Sequence, residues 1–274
     1  MRYLEKKPIK RSKLRLFVGK KYYIIKKYAD WYISKKRYAK TVSKNLYPHV
    51  VFTHSTPLIR KLKDVDMYLQ YNKITNLKLA VANLNGIVIK PGETFSYWKL
   101  IGKPSYRKGY LDGLVLCPDG SFKPGVGGGL CQLSNLIYWM TLHSSLTVTE
   151  RYRHSHDVFP DSNRTQPFGS GATCSYNYLD LQIYNGTNNE FQLVVYVNEE
   201  NLIGEWRCDG TIKYTYEVYE KEHSIAQGLF EGYIRNNVIF RKAYNIHNDL
   251  IGDEYITENH AYMTYAPLLC DSKK

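Results

Sequence analysis

A chain of 274 residues with 43% hydrophobic side chains can bury one sizeable core, which excludes general disorder, and no run approaches the ~20 apolar residues needed to cross a bilayer. The net charge of +13 is gathered at one end: residues 1–45 hold 16 Lys or Arg against Glu5 and Asp30, and the rest is close to neutral. An anionic partner, if that asymmetry marks one, is therefore a partner of the N-terminal segment and not of the body.

In chain order, residues 1–12 are polar and basic, and a helical pattern runs from Ser12 to about Leu46. Leu14, Phe17, Val18, Ile25, Ala29 and Ile33 share one face, Lys13, Lys20 and Lys27 stand seven apart on another, and Tyr22, Tyr28, Trp31 and Tyr32 add aromatic groups. This is the composition of a helix on an anionic membrane surface, contacted through residues 13–45; the plainer alternative is a helix packed on the body with a solvated lysine face. A nucleic-acid partner fits less well. The pattern divides the chain into a basic helical appendage, residues 1–46, and an α+β body, residues 47–274. Charges interrupt Leu14–Ile25 before a signal-length apolar core is reached. Five cysteines, at 117, 131, 174, 208 and 270, form no Cys-x-x-Cys pair, and an odd count suits a reduced compartment. The expected location is cytoplasmic, peripheral on the inner membrane face where the helix makes contact.

Pro48 and Pro57 bracket an irregular linker, and the spacing of Leu77, Ala80, Val81 and Leu84 predicts a helix over 75–84, stopped by Asn85-Gly86. Ile87 to Lys90 reads as a strand, followed by a Pro91-Gly92 turn. Glu93 and Ser96, just beyond, are candidates to line a ligand site, although turn residues commonly have no such role. The organising stretch is Gly125-Val-Gly127-Gly128-Gly129-Leu-Cys131-Gln132-Leu-Ser134. Its glycines allow positive φ, and the apolar spacing that follows puts Cys131 in the first turn of a helix. There the free N–H groups and macrodipole would lower a thiol pKa, making Cys131 the best nucleophile candidate; a buried apolar cysteine beside a tight turn is the alternative. Gly127, Gly128, Gly129, Gln132 and Ser134 are the ligand-binding candidates around it.

Leu146 to Glu150 reads as a strand, and a polar loop carrying His154 and His156 follows. Cys174–Tyr178 and Leu179–Tyr184 read as strands before an Asn185-Gly186 hairpin turn. Alternating segments at 191–197, 202–207, 211–220, 228–235 and 238–245, with turn signals at 198–201, Asp209-Gly210 and Asn236-Asn237, predict an antiparallel meander. Helices early and strands late make the fold α+β.

A nucleophilic Cys131 needs a base, and His154 is the first choice, with His156 second; Asp180, between two leucines, is the candidate to orient it. The order Cys, His, acceptor is similar to that of papain-like and NlpC/P60-like hydrolases in arrangement alone. His154, His156, Asp157 and Cys131 give a poor metal-site spacing, and the glycine run lacks a phosphate-loop lysine, so no metal or other cofactor is expected.

Three segments, Lys90-Pro-Gly-Glu-Thr-Phe-Ser96, Gly125 to Gln132, and Arg151-Tyr-Arg-His154, resemble the VanW family, most strongly over residues 76–187. The resemblance implies an accessory protein of glycopeptide resistance or cell-envelope metabolism with a small-molecule or peptide-like cell-wall ligand bound in a cleft beside Cys131. Two rivals are a cysteine hydrolase or acyltransferase acting on a peptidoglycan precursor and a non-catalytic membrane-surface scaffold. His154 matches the family's histidine. Gly171 stands where relatives commonly have aspartate, which bears against a complete catalytic set.

Overall fold

A computed structural model describes residues 11–59, 66–117, 120–154, 156–158, 166–228 and 232–265; the readings made above for residues 1–10 and Cys270 fall outside these. The helices are α1 (Lys13–Tyr32), α2 (Met67–Leu84), α3 (Tyr97–Ile101) and α4 (Cys131–Leu142). The early strands are β1 (Arg37–Tyr38), β2 (Thr41–Val42), β3 (His49–Pro57), β4 (Ile87–Ile89), β5 (Glu93–Ser96), β6 (Asp112–Leu116), β7 (Phe122–Val126), β8 (Thr147–Glu150) and β9 (His156–Asp157). The later ones are β10 (Gln182–Tyr184), β11 (Phe191–Val197), β12 (Asn201–Cys208), β13 (Tyr214–Gln227), β14 (Tyr233–Asn245) and β15 (Leu250–Met263). Three sheets result, ordered β1-β5-β10-β8, β2-β4-β11-β12-β3 and β13-β14-β15-β9, with β6 and β7 a separate hairpin. The fold is α+β, as the pattern implied.

Helices α2 and α4 supply the apolar faces that the sheets cover. Leu77, Ala80 and Leu84 of α2 and Leu133, Leu136, Ile137 and Met140 of α4 are fully buried in one core with Leu193, Val195, Leu202 and Trp206. Gly204 lets α4 approach β12: a Cβ there would lie 2.7 Å from Met140 Cε and 2.9 Å from Leu136 Cδ2. Beside that contact the Trp206 indole donates to Thr141 Oγ1 at 3.1 Å, so the largest buried side chain is also satisfied as a donor.

Several expectations need correction. Helix α1 begins after an N-cap by Ser12, whose Oγ accepts from Arg15 N–H at 3.3 Å, but it ends at Tyr32 and not near Leu46. The chain beyond is drawn off to pair β1 with β5 and β2 with β4. The region from 48 to 57 is no irregular linker: β3 pairs along its length with β12, and Pro57 is tolerated because β3 is an edge strand at whose end it sits. Helix α2 starts earlier than expected, at Met67, and stops as expected, with Asn85 N–H bonded to Val81 O and Gly86 at φ +83. Residues 174–178 form only a bridge, Ser175 to Leu179. Asn185-Gly186 joins two different sheets and no hairpin, since β10 pairs with β5 and β8 while β11 pairs with β4 and β12. There the Asn185 side chain donates to Ile89 O and Asn189 O, both at 2.8 Å.

Asn236-Asn237 is not a turn either. Both residues are buried in the middle of β14, opposite Ser224 and His223. Their amides are satisfied laterally: Asn237 donates to Phe168 O at 2.7 Å and accepts from Asn259 at 2.8 Å, while Asn236 Oδ1 lies 2.9 Å from His260 Nδ1. Residues 233–245 are therefore one strand, and β15, absent from the expected list, completes the meander.

Candidate functional site

The glycine turn is held from both sides. Gly127 (φ +73) and Gly129 (φ +88) adopt the left-handed conformation, and a Cβ on Gly128 would lie 2.1 Å from the Gly113 carbonyl carbon. Asn76, fully buried on α2, donates to Leu111 O and Gly128 O at 3.0 Å and accepts from Leu111 N–H at 2.8 Å. Tyr97 OH donates to Leu130 O at 2.9 Å. The Lys73 stem covers Gly129, where a Cβ would be 2.2 Å from Lys73 Cγ, and its Nζ donates to Gln70 Oε1 at 2.8 Å. The space beside all three glycines is thus filled by the protein's own atoms. Lys73 and Asn76 were not among the expected residues; polar side chains on the apolar face that repeats at Leu77, Ala80 and Leu84 were the available signal.

Cys131 is the first residue of α4, as the spacing predicted, and is half-buried. Its thiol donates to Cys174 O at 3.6 Å, and burial pushes its pKa up, the opposite of the lowering expected from a helix N-terminus. Nor are the next amides free to hold an oxyanion, because Gln132 N–H bonds to Gly129 O at 3.0 Å and Leu133 N–H to Leu130 O at 3.1 Å. Segment 171–174 lies along the first turns of α4: Ser134 Oγ donates to Ala172 O at 2.7 Å, and Asn135 Oδ1 accepts from Ala172 N–H at 2.7 Å. Gln132 reaches the other way, to Thr56 Oγ1 and Pro57 O, both at 2.9 Å. A Cβ at Gly171 would lie 2.7 Å from Asn135 Oδ1, so a larger side chain at this position would meet Asn135 in this chain.

The other expected catalytic residues are engaged elsewhere. His154 lies exposed between β8 and β9, and such burial as its ring has, together with His156, moves its pKa down. Among the described residues no histidine is hydrogen-bonded to the Cys131 thiol. His156 sits in β9, in register with Tyr262 of β15. Asp180 is fully buried and accepts from Ser96 Oγ at 2.6 Å, Trp98 N–H at 2.9 Å and Leu181 N–H at 3.0 Å. Burial raises its pKa to about 6 against the pull of those donors. Ser96 in turn caps α3, accepting from Lys99 N–H at 3.3 Å. Two of the expected site residues, Asp180 and Ser96, do meet, and together they close the β5–α3 junction. Glu93 accepts from Lys90 N–H at 3.1 Å and stabilises the Pro91-Gly92 turn.

The thiol chemistry has a direct readout. With burial raising the pKa of both Cys131 and Cys174, iodoacetamide at pH 8 with peptide mapping should label half-buried Cys117 ahead of Cys131, since thiolate is the reacting form. Labelling of Cys131 ahead of Cys117 in the folded protein would restore an activated thiol.

The sheet β1-β5-β10-β8 carries a recess of about 490 Å³. Lys35, Lys36 and Arg37 line it together with Gly92 and Thr94, and with Thr149 of β8 and Tyr184 of β10; no lining side chain is acidic. Lys36 bridges Asp30 at 2.8 Å and donates to Gln182 at 3.1 Å. Arg37 donates to Pro91 O at 2.8 Å and lies over Gly92 (φ +74), where a Cβ would be 2.5 Å from Nη2. Lys35 makes no hydrogen bond or ion pair among the described residues. Sequence reasoning missed this basic triplet because it lay inside the over-extended helix. Among the described residues, no group of three or more His, Cys, Asp or Glu is placed to hold a metal ion, and no helix is long and apolar enough to cross a membrane.

Motif segments converging on a glycine-entered helix and on this four-stranded sheet define a VanW-like domain: the family model described as VanW like protein matches residues 72–207, and the chain belongs to that family. Over 181 residues it is 37% identical to the vancomycin B-type resistance protein VanW of Enterococcus faecalis, a match covering 66% of each chain. It is 30% identical over 113 residues to the uncharacterized protein YoaR of Bacillus subtilis, covering 41% of this chain and 35% of that one. No solved structure matches the chain.

Proposed function

We propose that this protein is an accessory factor of glycopeptide resistance or cell-envelope metabolism that binds an anionic cell-wall ligand, bearing phosphate or carboxylate, in the basic recess. The observation that carries the reading is the recess itself, where three cations and no carboxylate line a cavity of about 490 Å³ built on the family's own Pro-Gly-Glu-Thr segment. Arg37 offers a planar fork for a carboxylate or phosphate, and Lys35 a charge committed to no other group among the described residues. The relative named for vancomycin resistance supports the cell-wall setting. Binding without turnover is favoured over hydrolase or acyltransferase chemistry because the Cys131 thiol is held toward its protonated form and has no histidine partner among the described residues.

The test is isothermal titration of the full chain with inorganic pyrophosphate and with a muramyl peptide. Binding of one of them is expected, with a loss of about tenfold or more in Lys35→Ala/Arg37→Ala, as befits two charge-assisted contacts. Binding unchanged in the double variant, or lost when Cys131 is altered, would move the ligand site to the surroundings of the cysteine. Binding of neither compound overturns the recess.

A further inference from the structure

Helix α1 has two halves with opposite surroundings. Its last turns belong to the body: Lys27 is 7% exposed and ion-pairs with Glu150, and Trp31 is 4% exposed, edge-on to Tyr28 and against Tyr176. Lys99 Nζ donates to Trp31 O. The direction of the helix is thereby fixed on the body.

Its first three turns carry the reverse arrangement. Leu14 is 73% exposed, Val18 56%, Tyr22 61% and Ile25 68%. At positions i, i+4, i+8 and i+11 these four fall within about 80° of one another around the helix, in a stripe roughly 17 Å long, and Lys27 and Trp31 lie on the opposite side. Phe17, also exposed, widens the stripe along one edge. Arg15 and Lys26 flank one edge of the stripe and Lys21 the other, and no acidic residue occurs between Arg11 and Ala29.

We propose that this exposed half of α1 docks on an anionic lipid surface, with Leu14, Val18, Tyr22 and Ile25 entering the headgroup–acyl boundary and the flanking cations meeting the headgroups. Apolar groups set between cations need a partner that is apolar below and anionic above, which a lipid interface supplies and a phosphodiester backbone does not. Because the far half of the helix is clamped by Lys27 and Trp31, docking also fixes how the body faces the membrane. The inference stands apart from the basic recess and survives if that site binds nothing.

Co-sedimentation of the full chain with vesicles tests it. Vesicles rich in phosphatidylglycerol should bind the protein and pure phosphatidylcholine vesicles should not, with binding falling as salt is raised. Val18→Glu/Ile25→Glu, at two exposed positions, should keep the unfolding midpoint and lose about tenfold or more in vesicle affinity. Arg15→Gln/Lys21→Gln/Lys26→Gln should lose most of the salt-sensitive part. Equal binding by wild type and the glutamate variant overturns the proposal, as does salt-sensitive binding to duplex DNA with none to vesicles.

Discussion

Asp180→Ala is expected to destabilise the protein by about 3 kcal/mol or more at pH 7. The carboxylate accepts from Ser96 Oγ, Trp98 N–H and Leu181 N–H in a fully buried position, and removing it leaves those donors without water to replace it. The same residue gives a pH signature. Burial raises its pKa from 3.8 to about 6, so the native state holds the proton more tightly than the unfolded chain does. The stability gained is complete below the unfolded value and is lost as the pH rises through 6. Chemical denaturation of wild type and Asp180→Asn at pH 4 and pH 7 should therefore show the difference between them moving in favour of wild type by about 2 kcal/mol on acidification. A difference that is flat with pH would mean that this carboxyl is hydrated and ordinary.

Removing Trp31 should be of similar size. It is 4% exposed and belongs to the main core, and Trp31→Ala is expected to cost about 3–5 kcal/mol, whereas Trp31→Phe should cost much less. The same packing decides how the N-terminus tolerates truncation. A chain lacking residues 1–24 should fold with a near-native midpoint, because it keeps Lys27, Trp31 and the strands β1 and β2. A chain lacking residues 1–45 loses partners of β4 and β5 as well as Trp31 and should not form the native state. A 46–274 fragment with the midpoint of the full chain would show that the whole N-terminal segment is dispensable.

The elements legible in the sequence were those whose local signals and tertiary setting agree. The helix start at Ser12, the Asn85-Gly86 stop and the apolar spacing after Cys131 each specify local structure without help, and all three are found. The sequence failed where a polar residue is satisfied by a distant partner. Asn236 and Asn237 look like a turn until Phe168, Asn259 and His260 are brought beside them, and Asn185 looks like a hairpin corner until its amide is seen to tie two sheets. For the candidate site, the position of Cys131 on its helix was readable and its protonation state was not, since burial by segment 171–174 outweighs the helix terminus. Asp180 was expected to orient a catalytic histidine, whereas its hydrogen-bond partners are Ser96, Trp98 and Leu181 at the β5–α3 junction.

The family match ends at residue 207, yet the sheet beyond it finishes the cysteine helix. Arg241 of β14 donates to Leu142 O at 3.2 Å and Ser144 O at 2.9 Å, and the His143 ring meets Tyr216 O of β13 at 2.9 Å. Carbonyls at the end of α4, which would otherwise face an apolar interface unanswered, are met by an arginine from another sheet. The two regions are accordingly expected to share one melting transition, because α4 cannot shed that sheet without exposing its own end. Amides of the last turn of α4 and those of β14 should then exchange with solvent at a common, global rate, and a protein clipped after Cys208 would lose the motif helix along with the strands it never encoded.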